Sequence, residues 1–197
     1  MPKLHLAQDP KADKLLAEDP LALLIGMVLD QQVPLERAFT APADLQDRLG
    51  GKLEASSLAD MDPGQLVELF RERPALHRFP GSMAGRVQQL CRVITEEYGG
   101  DAAAIWAGAT NGDELLARVR ALPGFGDQKA RIFVALLGKQ FGVRPPGWEE
   151  ASAPYGEKGS FRSVADIDSP EALATVRQHK KEVKAAAKAK AGGADRG

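Results

Sequence analysis

The sequence predicts an all-α protein, and three observations carry that prediction. Asp19-Pro20, Asp62-Pro63 and Ser169-Pro170 each place a capping side chain before a proline suited to a first helical turn. Apolar residues recur at i, i+3, i+4 and i+7, and no segment shows the period-two alternation of a half-buried strand. Glycine and proline clusters punctuate these stripes at Gly50-Gly51, Gly99-Gly100 and Pro123 to Gly126.

The elements follow in order. From Pro20, residues Leu21, Leu24, Ile25, Val28 and Leu29 form the apolar stripe of a core helix. Pro34 bends or restarts the chain, and Leu35 to Phe39 predict a short second helix. Leu58 to Phe70 read as two short helical pieces, the second opened by Asp62 with Gln65 at capping-box spacing. Val87, Leu90, Cys91, Ile94 and Tyr98 stripe a longer helix that stops at Gly99-Gly100. Ala102 to Ala107 and Glu114 to Leu122 continue the helical pattern. A proline-glycine-rich segment over 142–161 predicts a long irregular loop, of the kind that often carries function. A last helix is expected from Pro170 to about Lys190, fraying from Ala191 onward. The expected division is a helical body over 1–176 and a basic Ala/Lys-rich tail over 177–197.

Composition narrows the function classes. The hydrophobic share of 44% and charged share of 27% are those of a soluble globular protein. No apolar run approaches the roughly 20 residues of a membrane span, and the first residues lack a secretory core. A cytoplasmic, nucleoid-associated monomer is therefore expected. A single cysteine, Cys91, excludes an internal disulfide and any four-cysteine iron–sulfur cluster. Neither a cofactor nor a metal is expected. The net charge of −1 conceals an asymmetry. From Arg177 onward, seven basic residues face two acidic ones, while the remainder holds 19 basic and 25 acidic. A basic arm on an acidic body suits a polyanion, although an Ala-Lys helix also serves simply as a solubilising tail.

The most informative phrase is Leu122-Pro123-Gly124-Phe125-Gly126-Asp127-Gln128-Lys129-Ala130. Pro123 ends one helix, Gly124 and Gly126 pin a tight turn, and Ala130, Phe133, Val134 and Leu137 stripe the next helix. A helix N-terminus behind a glycine turn offers backbone N–H groups to an anion such as a nucleic-acid phosphate. The phrase resembles the helix-hairpin-helix of the DNA glycosylase superfamily that includes endonuclease III, with the hairpin spanning about 113–137. Two further segments fit. Met27-Val28-Leu29-Asp30-Gln31-Gln32-Val33 matches a DNA-facing Leu-x-x-Gln-Gln phrase of that superfamily. Gly81 to Leu90, with Arg86, resembles its lysine- or arginine-bearing helix. The resemblance implies a two-lobed helical fold and double-stranded DNA as partner.

The family's chemistry does not carry over residue by residue. Bifunctional members place a nucleophilic lysine two residues after the second hairpin glycine, where this chain has Gln128. Lys129 follows one place later, and a helical step turns a side chain by about 100°, so it should point elsewhere. The family's catalytic aspartate is also missing, since no Asp occurs between Asp127 and Asp166. Asp30, Glu149 and Glu150 are the carboxylates that stand near the expected site. Asp30 can instead be an ordinary helix-end residue, and Glu149 and Glu150 surface carboxylates of a loop. The resemblance implies DNA contacts from Gln31, Gln32, Arg86, Leu122, Pro123, Gly124, Phe125, Gly126, Gln128 and Lys129. Trp148, Tyr155 and Phe161 can stack on a base or pin their loop, and His77 reads as a structural or phosphate-contacting histidine. The expected activity is monofunctional hydrolysis of an N-glycosidic bond. A non-catalytic lesion-binding protein and a metal-dependent nuclease using Asp30 and the loop glutamates are the alternatives.

Overall fold

The computed structural model describes residues 2–194, all of their regular structure helical. The first lobe holds α1 (Pro10–Glu18), α2 (Pro20–Leu29), α3 (Leu35–Leu49), α4 (Ala55–Asp60), α5 (Pro63–Arg71) and α6 (Pro80–Tyr98). The second holds α7 (Ala104–Ala107), α8 (Gly112–Arg120), α9 (Asp127–Gln140), α10 (Trp148–Ala151), a 3-10 turn (Val164–Asp166) and α11 (Pro170–Ala194). Helices α1 and α3 flank α2, and α4 and α5 pack on α6, which α2 also touches. In the second lobe α8 pairs with α9, α10 lies across both, and the 3-10 turn joins α9 to α11.

Capping chemistry sets most boundaries. Asp19 accepts the N–H groups of Leu21 and Ala22, Asp62 that of Gln65, and Ser169 that of Ala172. Gly50 and Gly99 end α3 and α6 in the left-handed conformation that glycine adopts without a Cβ penalty. Helix α1 carries the same Asp-Pro signature at Asp9-Pro10 and was not among the expected elements. Its Asp13 is buried, and it fastens the N-terminal segment by accepting the N–H groups of Leu6 and Ala7 at 2.9 and 2.8 Å.

Helix α3 corrects the short Leu35 to Phe39 helix. It runs on to Leu49 through Pro42, because Ala38, Phe39, Ala41, Pro42 and Leu45 share a buried face whose packing outweighs the missing N–H. Helix α11 continues without a break from its packed first turns through residue 177 and on to Ala194; residues 195–197 of the expected frayed end lie outside the described residues.

The 142–161 loop is firmly held. The indole of Trp148 lies where a Cβ on Gly138 would stand, within 2.3 Å, so only glycine admits it. The Gly112 N–H donates to the Pro146 carbonyl at 2.8 Å, and Arg131 donates to the Ala151 carbonyl at 2.9 Å. These contacts turn an irregular segment into a fixed wall beside α9.

Candidate functional site

Helix α2 is buried from Leu21 to Leu29 and ends at Asp30 without a glycine cap. Its last carbonyls therefore need donors from elsewhere. Lys129 of α9 supplies them: its Nζ donates to the Met27 carbonyl at 2.7 Å and reaches those of Val28 and Asp30 at 3.4 Å. Gln31 folds back to donate to the Val28 carbonyl at 2.9 Å. Buried His77 accepts the Phe79 N–H at Nδ1, so Nε2 carries the proton and meets the Leu29 and Gln31 carbonyls at 3.1 and 2.8 Å. A cation at the C-terminus of α2 also complements its dipole. This explains how a lysine sits in the first turn of α9, where its own helix disfavours it. Lys129 ties the two lobes together, and its ammonium protons are committed to carbonyl oxygens. Burial lowers its basicity, the nearby Asp30 raises it, and Arg86 lowers it again.

Those three side chains fix the Asp30-Gln31-Gln32 bend. Gln32 is exposed and holds φ +56, a left-handed conformation that costs a non-glycine residue about 1–2 kcal/mol. Phe79, at the other end of the His77 bridge, is 41% exposed, with the Arg78 guanidinium 5.4 Å from its ring centroid. Sequence reasoning missed it. Its signal was an apolar residue standing just before the helix start at Pro80.

The hairpin turn packs beside this bend. Gly124 has φ +87, and a Cβ there would stand 3.0 Å from Arg86 Cδ and 3.2 Å from Val28 Cγ2. It is thus half-buried, because α2 and α6 close over it. Gly126 is exposed, with open space around its missing side chain. The N–H groups of Gly126, Asp127, Gln128 and Lys129 find no acceptor among the described residues, and no side chain caps α9. The Asp127 carboxylate turns to Arg131 and Arg120, which hold it below its ordinary range. Leu122 and Phe125 are buried, Phe125 edge-on to Phe133, so their side chains are not open to a ligand.

Between the lobes lies a cleft of about 610 Å³. From the first lobe, Met27, Asp30, Gln31, Gln32 and Val33 line it. From the second come Gln128, Lys129, Ile132, Tyr155, Arg162 and Ser163, with His179, Lys180, Val183 and Lys184 of α11. A second depression, lined by Phe161, Arg162 and the Ala174 to Glu182 stretch of α11, holds none of the residues expected to be catalytic or to contact DNA. Asp30 is the only carboxylate among the described residues that line the cleft. It accepts no side-chain hydrogen bond among the described residues, and burial pushes it above its ordinary range while Lys180 and Lys129 pull it partly back. Gln128 donates to the Tyr155 hydroxyl at 2.9 Å across the cleft wall.

Other expected site residues fall outside. Glu149 and Glu150 are exposed on α10 and do not line the cleft. Trp148 pins its loop against Gly138, and Phe161 is 43% exposed away from the cleft. No group of three or more His, Cys, Asp or Glu side chains converges among the described residues. Cys91 is buried, its thiol pushed up to about 12, so it offers no nucleophile. Conversely, the α11 side chains of the cleft wall were legible only as a basic tail.

No described helix is long and apolar enough to cross a membrane. The family model described as "HhH-GPD superfamily base excision DNA repair protein" matches residues 25–190, from within α2 to near the end of α11. No curated protein matches the chain.

Proposed function

The chain belongs to the HhH-GPD superfamily of base excision DNA repair proteins, and within it we propose a monofunctional DNA glycosylase that uses Asp30. The observation that carries this reading is the carboxylate itself: alone among the described cleft residues, half-buried, without a hydrogen bond from any of them, and held by a bend that three part-buried contacts fix. A carboxylate in a partly desolvated cleft has much to gain when positive charge appears beside it. Departure of a base from its sugar creates such charge.

Duplex DNA lies across the hairpin, where the unpaired N–H groups at the start of α9 meet a phosphate and Arg86 adds charge beside Gly124. Gln32 enters the stack to fill the space of an extruded nucleotide, and exposed Phe79 offers a second apolar face next to it. The extruded base occupies the interlobe cleft against Tyr155. As the base leaves, Asp30 stabilises the oxocarbenium-like sugar and directs water to C1′. Gln128 stands where a bifunctional relative has its amine, and a glutamine amide forms no Schiff base.

Incubation with a panel of lesion-bearing duplexes tests this reading. It predicts free base from at least one lesion, strand breakage only after hot alkali, indifference to chelator, and no adduct on borohydride reduction. Strand breaks that need a divalent cation would establish a nuclease instead. A trapped adduct lost in Lys129→Gln would show a lyase, and an inert protein with retained duplex affinity a binding protein.

A further inference from the structure

Helix α11 changes character along its length. Ala172, Leu173 and Val176 are buried against the second lobe, but every described residue from Lys180 to Gly193 is exposed, and Val183, its bulkiest apolar residue, is 54% exposed. That stretch carries Lys180, Lys181, Lys184, Lys188 and Lys190 against a single acid, Glu182, which already accepts from Gln178 at 2.8 Å. No ion pair involving these five lysines occurs among the described residues, where the one ion pair between this helix and the first lobe is that of Arg177 with Glu36. A row at i, i+4 and i+8, formed by Lys180, Lys184 and Lys188, places like charges side by side, which works against an isolated helix. Nothing apolar repays that arrangement. Yet Lys180 and Lys184 line the same cleft as Asp30, Gln31 and Gln32, so the row runs from the cleft outward.

We propose that the Lys180-Lys184-Lys188 row of α11 is a second nucleic-acid contact, binding the phosphodiester backbone that flanks the nucleotide held in the interlobe cleft. A row of polyanion phosphates relieves the lysine repulsion and replaces the packing that this half of α11 lacks. It also gives DNA affinity to a chain whose remaining residues carry net negative charge. The inference rests on the duplex-binding reading above.

The test measures duplex affinity of the full chain as a function of salt for the wild type and for Lys180→Gln/Lys184→Gln/Lys188→Gln. Each phosphate contact contributes about 0.9 to the slope of log K against log salt, so the triple variant should lose about 2 to 3 units of slope. Its melting temperature should be no lower than that of the wild type, since the row buries nothing and its loss relieves repulsion along the helix. Wild-type affinity with an unchanged slope in the variant overturns the proposal and leaves the repair reading standing. A wild type without duplex affinity overturns both. In a parallel arm with phosphatidylglycerol vesicles, binding lost in the variant while its DNA slope is unchanged assigns the row to a membrane surface and overturns the proposal.

Discussion

Asp30→Asn releases the target base about two orders of magnitude more slowly than the wild type, with duplex affinity preserved. The substitution is nearly isosteric and removes only the charge that opposes the sugar cation. The same change is expected to stabilise the protein at neutral pH. Burial holds the Asp30 carboxyl above its ordinary range, so the folded chain binds its proton more tightly than the unfolded chain does. Folding stability therefore falls as pH rises from the ordinary carboxylate value through the raised one, and an uncharged amide escapes that loss. A higher melting temperature for Asp30→Asn at pH 7, converging with the wild type in acid, is the expected calorimetric result. Base release by the wild type should fall on acidification as the carboxylate takes up its proton, with a midpoint above the usual Asp range. The variant's residual rate should lack that limb. A slower variant that is also less stable at pH 7 would make Asp30 a structural residue.

Gly126→Leu weakens duplex binding about tenfold or more at little cost to the fold. Nothing lies near the missing Cβ, and its φ of −74 suits any residue. A leucine cap in place of glycine costs under about 1 kcal/mol. The new side chain stands instead over the unpaired N–H groups that would receive a phosphate. Gly124→Leu differs in kind, since its positive φ and the 3.0 Å approach to Arg86 Cδ burden the fold itself. Gly126→Leu is thus the cleaner probe of the hairpin, read by duplex titration beside a thermal melt. Unchanged affinity in a folded variant would remove the hairpin from the interface.

What was legible in the sequence follows the range of the forces involved. Caps are local, so Asp19, Asp62 and Ser169 mark their helices correctly from a few adjacent residues. The phrase from Leu122 to Ala130 is equally local, and it spans the turn between α8 and α9. Helix α3 outruns its expected end at Phe39 because burial of the face around Pro42, a tertiary effect, outweighs a local breaker. The role of Lys129 was half legible. Its unfavourable place in the first turn of α9 signals a compensating partner, but the partner is the end of a helix some hundred residues earlier. His77 and the cleft wall from α11 carry no local signature, because their contacts join segments that only the fold brings together.

The central claim is that the Asp30 carboxylate faces the charge that develops on the sugar. A duplex carrying a cationic pyrrolidine in place of one deoxyribose presents that charge permanently, and a neutral tetrahydrofuran abasic duplex is its control. The wild type should bind the pyrrolidine duplex about a hundredfold more tightly than the control, and Asp30→Asn should lose that preference while keeping its affinity for the neutral duplex. Equal binding of both duplexes by the wild type, or an undiminished preference in Asp30→Asn, would contradict it.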